Sequence, residues 1–109
     1  MNVTSSVENE HVVITINGDV DSSSAILLDD KIRIVHDEGH KTILIDCANL
    51  NYISSAGLGV FMSYLSDFKE SNTNMVLFSV QDKVKKVFEL VGLDALLTIV
   101  SDRTTAINR

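Results

Sequence analysis

Proline and tryptophan are absent from this chain of 109 residues, cysteine occurs once, and Lys and Arg together number 9 against 15 acidic residues. Cys47 has no partner within the chain, which excludes an internal disulfide framework and favours a reducing compartment. The formal charge of −6 argues against nucleic acid and anionic membrane as partners, because both need clustered cations that displace counterions. Proteins and small molecules remain. Long hydrophobic runs are also missing: the longest, within Thr42–Ile45 and Met75–Phe78, fall far below the roughly 20 residues that span a bilayer. The opening MNVTSSVENE has neither a basic start nor an apolar stretch, so no signal peptide is expected and the chain reads as soluble and cytoplasmic. No repeat, linker or low-complexity segment divides the sequence. Its length and 45% apolar content fit a single domain over residues 1–109, with a core that needs no metal or disulfide.

What is present is a regular alternation of patterns. Val12, Ile14 and Ile16 alternate with Val13, Thr15 and Asn17, and the polar break Glu8-Asn9-Glu10 precedes them, which predicts two strands joined by a tight turn between Val3 and Val20. Asp21 to Ser24 supply N-cap residues for an amphipathic helix carrying Ala25, Leu28, Ile32 and Val35 and ending at Gly39. Lys41–Asp46, around Ile43-Leu44-Ile45, reads as a central parallel strand buried on both faces. A polar loop is expected over Cys47–Ser54. A second helix follows through Leu58, Phe61, Leu65 and Phe68, then a strand over Met75–Val80. A third helix through Val84, Val87, Phe88 and Val91 stops at Gly92, a last strand covers Leu96–Val100, and a short helix lies within Ser101–Asn108. The order β-β-α-β-α-β-α-β-α predicts an α/β fold with a mostly parallel sheet of about five strands and about four helices. In such sheets sites gather where strands end and helices begin, here Gly18–Ser24 and Asp46–Gly59.

Several motifs dissolve on closer reading. His36 and His40 have the i, i+4 spacing of a metal-binding helix face, but Gly39 ends the helix between them, so no metal site is expected. Gly57-Leu58-Gly59 begins like a dinucleotide fingerprint, yet Met62 stands where the third glycine belongs, and no cofactor is expected. Ser55 before Gly57 resembles half of a nucleophile elbow, with Ile53 in place of its first glycine and no histidine base nearby. Lys83, Lys85 and Lys86 read as a solvated face. Asp46 ends a strand as the phosphorylated Asp of receiver domains does, but those domains begin directly with a βα unit rather than a strand pair. Asp46 is therefore expected to brace the loop that follows it.

The stretch DCANLNYISSAGLG, Asp46 to Gly59, resembles the central motif of STAS domains, in particular the stand-alone anti-sigma factor antagonists of bacteria. Their pattern runs from a strand-ending Asp through a polar loop and an apolar pair to Asp-Ser-Ser/Thr-Gly-Leu-Gly. Asp46 matches the first Asp, Tyr52-Ile53 the pair and Gly57-Leu58-Gly59 the helix entry. Gly18-Asp19-Val20-Asp21 is similar to the family's Gly-x-Leu/Val-Asp segment, and the likeness extends over about residues 8 to 100. Ser54 departs from it by occupying the slot of the usual Asp, and Ala56 that of the second Ser/Thr.

The resemblance implies a STAS fold and a regulator, not an enzyme. Its unphosphorylated form would bind an anti-sigma factor that is itself a serine kinase of the histidine-kinase-like ATPase type, releasing a sigma factor or another target. Phosphorylation would end that binding and a serine phosphatase would restore it. By register the acceptor is Ser55, with Ser54 second. The partner surface is expected to include Asp21, Ser22, Ser54, Ser55, Gly57 and Leu58, with apolar contact from Leu58 and Met62. On its own the chain is expected to be a monomer. The alternative is a STAS subunit docked constitutively on a larger assembly, such as a lipid-transport ATPase or a stress-signalling complex, in which the serine has no switching role.

Overall fold

A computed structural model describes residues 1–109. It contains β1 (Asn2–Glu8), β2 (His11–Val20), α1 (Ala25–Asp37), β3 (Thr42–Ile53), α2 (Ser55–Glu70), β4 (Asn74–Phe78), α3 (Asp82–Leu90), β5 (Thr98–Val100) and α4 (Arg103–Ile107). The five strands form one sheet in the order β1-β2-β3-β4-β5, with β1 antiparallel to β2 and all other neighbours parallel. The expected α/β class, five-stranded mixed sheet and four helices are thus present.

The sheet separates two cores of unequal size. On one face Val12, Ile14, Ile16, Ile43, Ile45, Met75 and Leu77 meet the apolar stripes of three helices: Leu28, Ile32 and Val35 on α1, Leu58, Phe61 and Phe68 on α2, and Val84 and Phe88 on α3. On the other face Val13, Leu44, Val76 and Phe78 are covered by Ala106 of α4, with Val100 beside them. Successive strand residues therefore serve opposite cores, which is why Ile43-Leu44-Ile45 reads as an unbroken apolar run.

Helix α1 ends as its sequence indicates. Gly39 sits at φ +94°, a conformation that closes a helix and that side chains resist, and His40 lies beyond it. His36 instead packs on the Phe68 ring at 4.6 Å, with Nε2 3.2 Å from the Ser71 hydroxyl.

Three expectations need correction. The segment Cys47–Ser54 is not a polar loop: β3 continues to Ile53, paired with β2 up to Val20. Its register slips twice, from Thr15↔Asp46 to Asn17↔Asn49 and from Gly18↔Leu50 to Asp19↔Tyr52, so β3 carries an extra residue at each bulge. Inward positions there are Cys47, Leu50 and Ile53, spaced by three, which hides the strand from a search for period two. The last strand begins at Thr98 rather than Leu96, because the Leu96 and Leu97 amides donate back to the Leu93 carbonyl at 3.0 and 2.8 Å and hold a 3₁₀ turn over Leu93–Ala95. Strand β4 ends at Phe78, where Ser79 turns to φ +57°.

Candidate functional site

Beyond Asp46, the last β3 residue paired with β4, strands β2 and β3 run on as a two-stranded extension. It brings the two sequence motifs together. The Ser54 amide donates to the Val20 carbonyl at 2.8 Å, which ties the end of β3 to the end of β2. Gly57 lies over this junction: a Cβ there would stand 2.7 Å from Ile53 and 2.8 Å from Val20, so only glycine allows α2 to approach so closely.

The extension is held from both sides. Asp46 Oδ1 accepts the Ala48 amide at 3.0 Å across the first bulge, and Oδ2 lies 3.6 Å from Arg103 Nη2. Gln81, at the start of α3, places Nε2 3.0 Å from each of the Ala48 carbonyl, the Leu50 carbonyl and Asn51 Oδ1. Sequence reading missed Gln81; the available signal was its position after the next strand end of a parallel sheet, where loops converge. Asn49 Nδ2 donates to Asn17 Oδ1 at 3.1 Å, and Asn17 Nδ2 to Asn2 Oδ1 at 2.9 Å, a ladder across three strands.

Both helices that start here are capped, by different chemistry. Before α1, Asp21 Oδ1 accepts the Ser23 amide and hydroxyl at 3.0 and 2.8 Å and the Ser24 amide and hydroxyl at 2.8 and 2.9 Å. These bonds, led by the one from the Ser23 hydroxyl, hold the Asp21 carboxyl down at about 2. The cap is thus Asp21 rather than the serines that follow it, and Ser24 makes no side-chain bond into the helix. Before α2, the cap is Ser54, whose Oγ accepts the Gly57 amide at 3.2 Å while its carbonyl accepts the Leu58 amide at 2.9 Å. Ser and Asp fill this position equally well, so a serine in the family's Asp slot keeps the helix start and removes one negative charge.

The remaining site residues separate by exposure. Ser55 is the first residue of α2 and is exposed, and its hydroxyl makes no hydrogen bond. Asp21, Ser22, Tyr52 (52%) and Met62 (53%) are exposed as well, and Ser54 is half-buried. Gly57 and Leu58, expected at a contact surface, are buried: Leu58 is 5% exposed and belongs to the core, because helix geometry turns the fourth residue of α2 toward the sheet. Exposed apolar contact beside Ser55 is left to Met62 and Tyr52. Cys47 is fully buried, and burial pushes its thiol well above the ordinary range, so it is no nucleophile.

The site is thus an exposed hydroxyl at a helix start, held beside the joined ends of two strands. The chain belongs to the STAS domain family, whose model matches residues 2–106. It is 25% identical over 92 residues to the anti-sigma-B factor antagonist of Listeria monocytogenes, covering 84% of this chain and 81% of that protein. It superposes with a TM-score of 0.89 on an anti-sigma factor antagonist from Mycobacterium paratuberculosis, at 16% identity, covering 98% of this chain and 91% of that one. On the phosphorylated form of the Bacillus cell fate determinant SpoIIAA the TM-score is 0.73, at 23% identity, over 99% and 98% of the two chains. At these identities the superpositions show the shared fold. Anti-sigma factor antagonists of this family are regulatory binding proteins, not enzymes. No helix of this chain is long and apolar enough to cross a membrane.

Proposed function

We propose that this protein is an anti-sigma factor antagonist whose binding is switched by phosphorylation of Ser55. The observation that carries the reading is the division of labour between two adjacent serines. The Ser54 hydroxyl is committed to the Gly57 amide, whereas the Ser55 hydroxyl is exposed and uncommitted. With the Gly57 amide capped by Ser54, the Ser55 and Ala56 amides are the open donors of the first turn, at the positive end of a helix of 16 residues. A phosphate on Ser55 meets those donors, so the modified domain stays folded. It also adds about −1.5 to −2 charge at neutral pH to a surface that already presents Asp19 and Asp21.

The unphosphorylated chain binds, through Asp21, Ser22, Tyr52, Ser54, Ser55 and Met62, an anti-sigma factor that is also a serine kinase of the histidine-kinase-like ATPase type. That binding frees a sigma factor or another target. Phosphorylation adds repulsion and desolvation cost at the interface and releases the kinase, and a serine phosphatase resets the cycle. The relatives' names and the existence of a phosphorylated form of a structural neighbour support the reading.

The test is incubation with ATP and the anti-sigma-type kinases encoded in the same genome, followed by phosphosite mapping. One phosphate on Ser55, absent from Ser55→Ala, is the expected result, together with persistent binding of Ser55→Ala and weak binding of Ser55→Glu. Modification of Ser54 alone would correct the acceptor. Absence of modification by every kinase, with equal partner affinity for the two Ser55 variants, would sink the switch and favour a constitutively docked subunit.

A further inference from the structure

We infer that the outer edge of β1 is a self-recognition surface, on which a second copy of this chain adds its own β1 antiparallel, giving a two-fold dimer with one continuous sheet. Strand β1 pairs with β2 without a bulge over all seven of its residues, and nothing pairs with its other side. Edge strands are commonly protected by Lys, Pro, a bulge or a covering element. The segment Asn-Val-Thr-Ser-Ser-Val-Glu has none of these residues, and its one charge, Glu8, is neutralised by Arg103, whose Nη1 donates to both carboxylate oxygens at 3.1 and 3.2 Å.

The free backbone groups of this edge can be assigned. Glu8 and His11 flank the two-residue turn and form the hydrogen-bonded pair that closes the hairpin. By alternation Ser6, Thr4 and Asn2 also direct their amides and carbonyls to β2, so Val7, Ser5 and Val3 direct theirs outward. The outward set is symmetric about Ser5. When Ser5 faces Ser5 of a second copy, Val3 faces Val7 twice, and each of these pairs can exchange both of its hydrogen bonds. Val7, 65% exposed in the single chain, gains a valine partner on the face where Val3 already packs against the larger core.

Helix α1 supplies an independent sign. It lies over β1 and β2, and its Asp29 and His36 mark the side facing α2, through the Tyr64 hydroxyl and Ser71 respectively. Leu27 and Ile34 each lie two residues from one of these, about 200° around the helix, and so overhang the β1 edge. Both are 51% exposed. A helix above the β1–β2 midline stands about one strand spacing from the proposed dyad, so two copies of α1 would lie roughly 10 Å apart, the ordinary distance for packed helices. The dyad leaves both Ser55 surfaces free, at opposite ends of the joined sheet.

The experiment is sedimentation velocity on the full chain over a concentration series reaching the millimolar range, beside Ser5→Pro and Ser5→Lys. Proline at 5 removes only an outward amide and leaves the β1–β2 ladder intact, whereas two lysines at 5 would face each other across the dyad. The expected result is reversible growth from 12.0 kDa to twice that mass for the wild type. Both variants should stay at the single-chain mass with unchanged circular dichroism. If proline disturbs the fold, the lysine variant decides. A wild type that remains single throughout, or a folded Ser5→Lys that still dimerises, would overturn the proposal.

Discussion

The starts of α1 and α2 stand side by side on the same strand-end surface, yet one is closed to an incoming anion and the other is open. At α1 the Asp21 carboxylate occupies the positive end of the helix and draws four hydrogen bonds from Ser23 and Ser24. At α2 a neutral hydroxyl, Ser54, makes one side-chain bond, to Gly57. Serines are abundant at both places, but only at α2 does a free hydroxyl stand beside unsatisfied amides with no carboxylate of its own. Serine content alone therefore does not distinguish the two helix starts; the state of the neighbouring cap does.

The contrast depends on α2 being seated closely on the strand ends, so the largest effect should come from unseating it. Gly57→Ala forces a methyl group against Val20 and Ile53 at under 3 Å. It should cost about 3 kcal/mol, the upper part of the range for overpacking a filled core, as measured by urea denaturation. Gly59→Ala is the control. Its added Cβ meets nothing within 4 Å, so stability should hold or rise slightly. A smaller effect comes from the cap: Ser54→Ala should lose about 1 kcal/mol, while Ser54→Asp should retain the wild-type value or exceed it. In that variant α2 would resemble α1, and phosphorylation of Ser55 would meet a negative neighbour; reduced phosphate uptake relative to the wild type would sharpen the comparison.

How much of this was legible in the sequence differs between the two helix starts for a physical reason. The three helical stripes and the hairpin were readable because burial there follows the periods of 3.6 and 2, and the central strand because burial on both faces leaves a short unbroken apolar run. The motif at Ser54-Ser55-Ala56-Gly57 was readable through its register. The β3 extension was not: two bulges shift inward spacing to Cys47, Leu50 and Ile53, and the intervening Asn49, Asn51 and Tyr52 read as a polar loop. Gln81, which clasps that extension from more than thirty residues away in sequence, carries no local signal. Leu58 was legible as part of the helix stripe, yet its place in a motif suggested a surface role that its burial rules out.

Acid separates the two caps further. Asp21 titrates at about 2 in the folded chain against 3.8 for an ordinary Asp. A depressed folded value stabilises the fold above the unfolded pKa, and that contribution is lost as pH falls from about 4 through about 2. A pH titration of the Ser23 and Ser24 amide resonances should show a midpoint near the low value, and Asp21→Asn should abolish it. The Ser54 cap has no titrating group, so the Gly57 amide should be indifferent over the same window. A Gly57 response equal to that of Ser23 would mean that the two helix starts are not independent.

The smallest expected effect is the most discriminating, because it concerns stability at Ser55. The side chain is exposed and unbonded, so Ser55→Ala should change the unfolding free energy by no more than about 0.5 kcal/mol. Ser55→Glu puts a carboxylate in the first turn of α2, where it should stabilise by about 0.3–1 kcal/mol at low ionic strength and less in high salt. The same substitution is expected to weaken partner binding. A variant that folds better and binds worse cannot owe its weak binding to unfolding, which leaves charge at the surface as the cause. A destabilised Ser55→Glu would instead mean that the start of α2 does not accept an anion, and the contrast with α1 would fail.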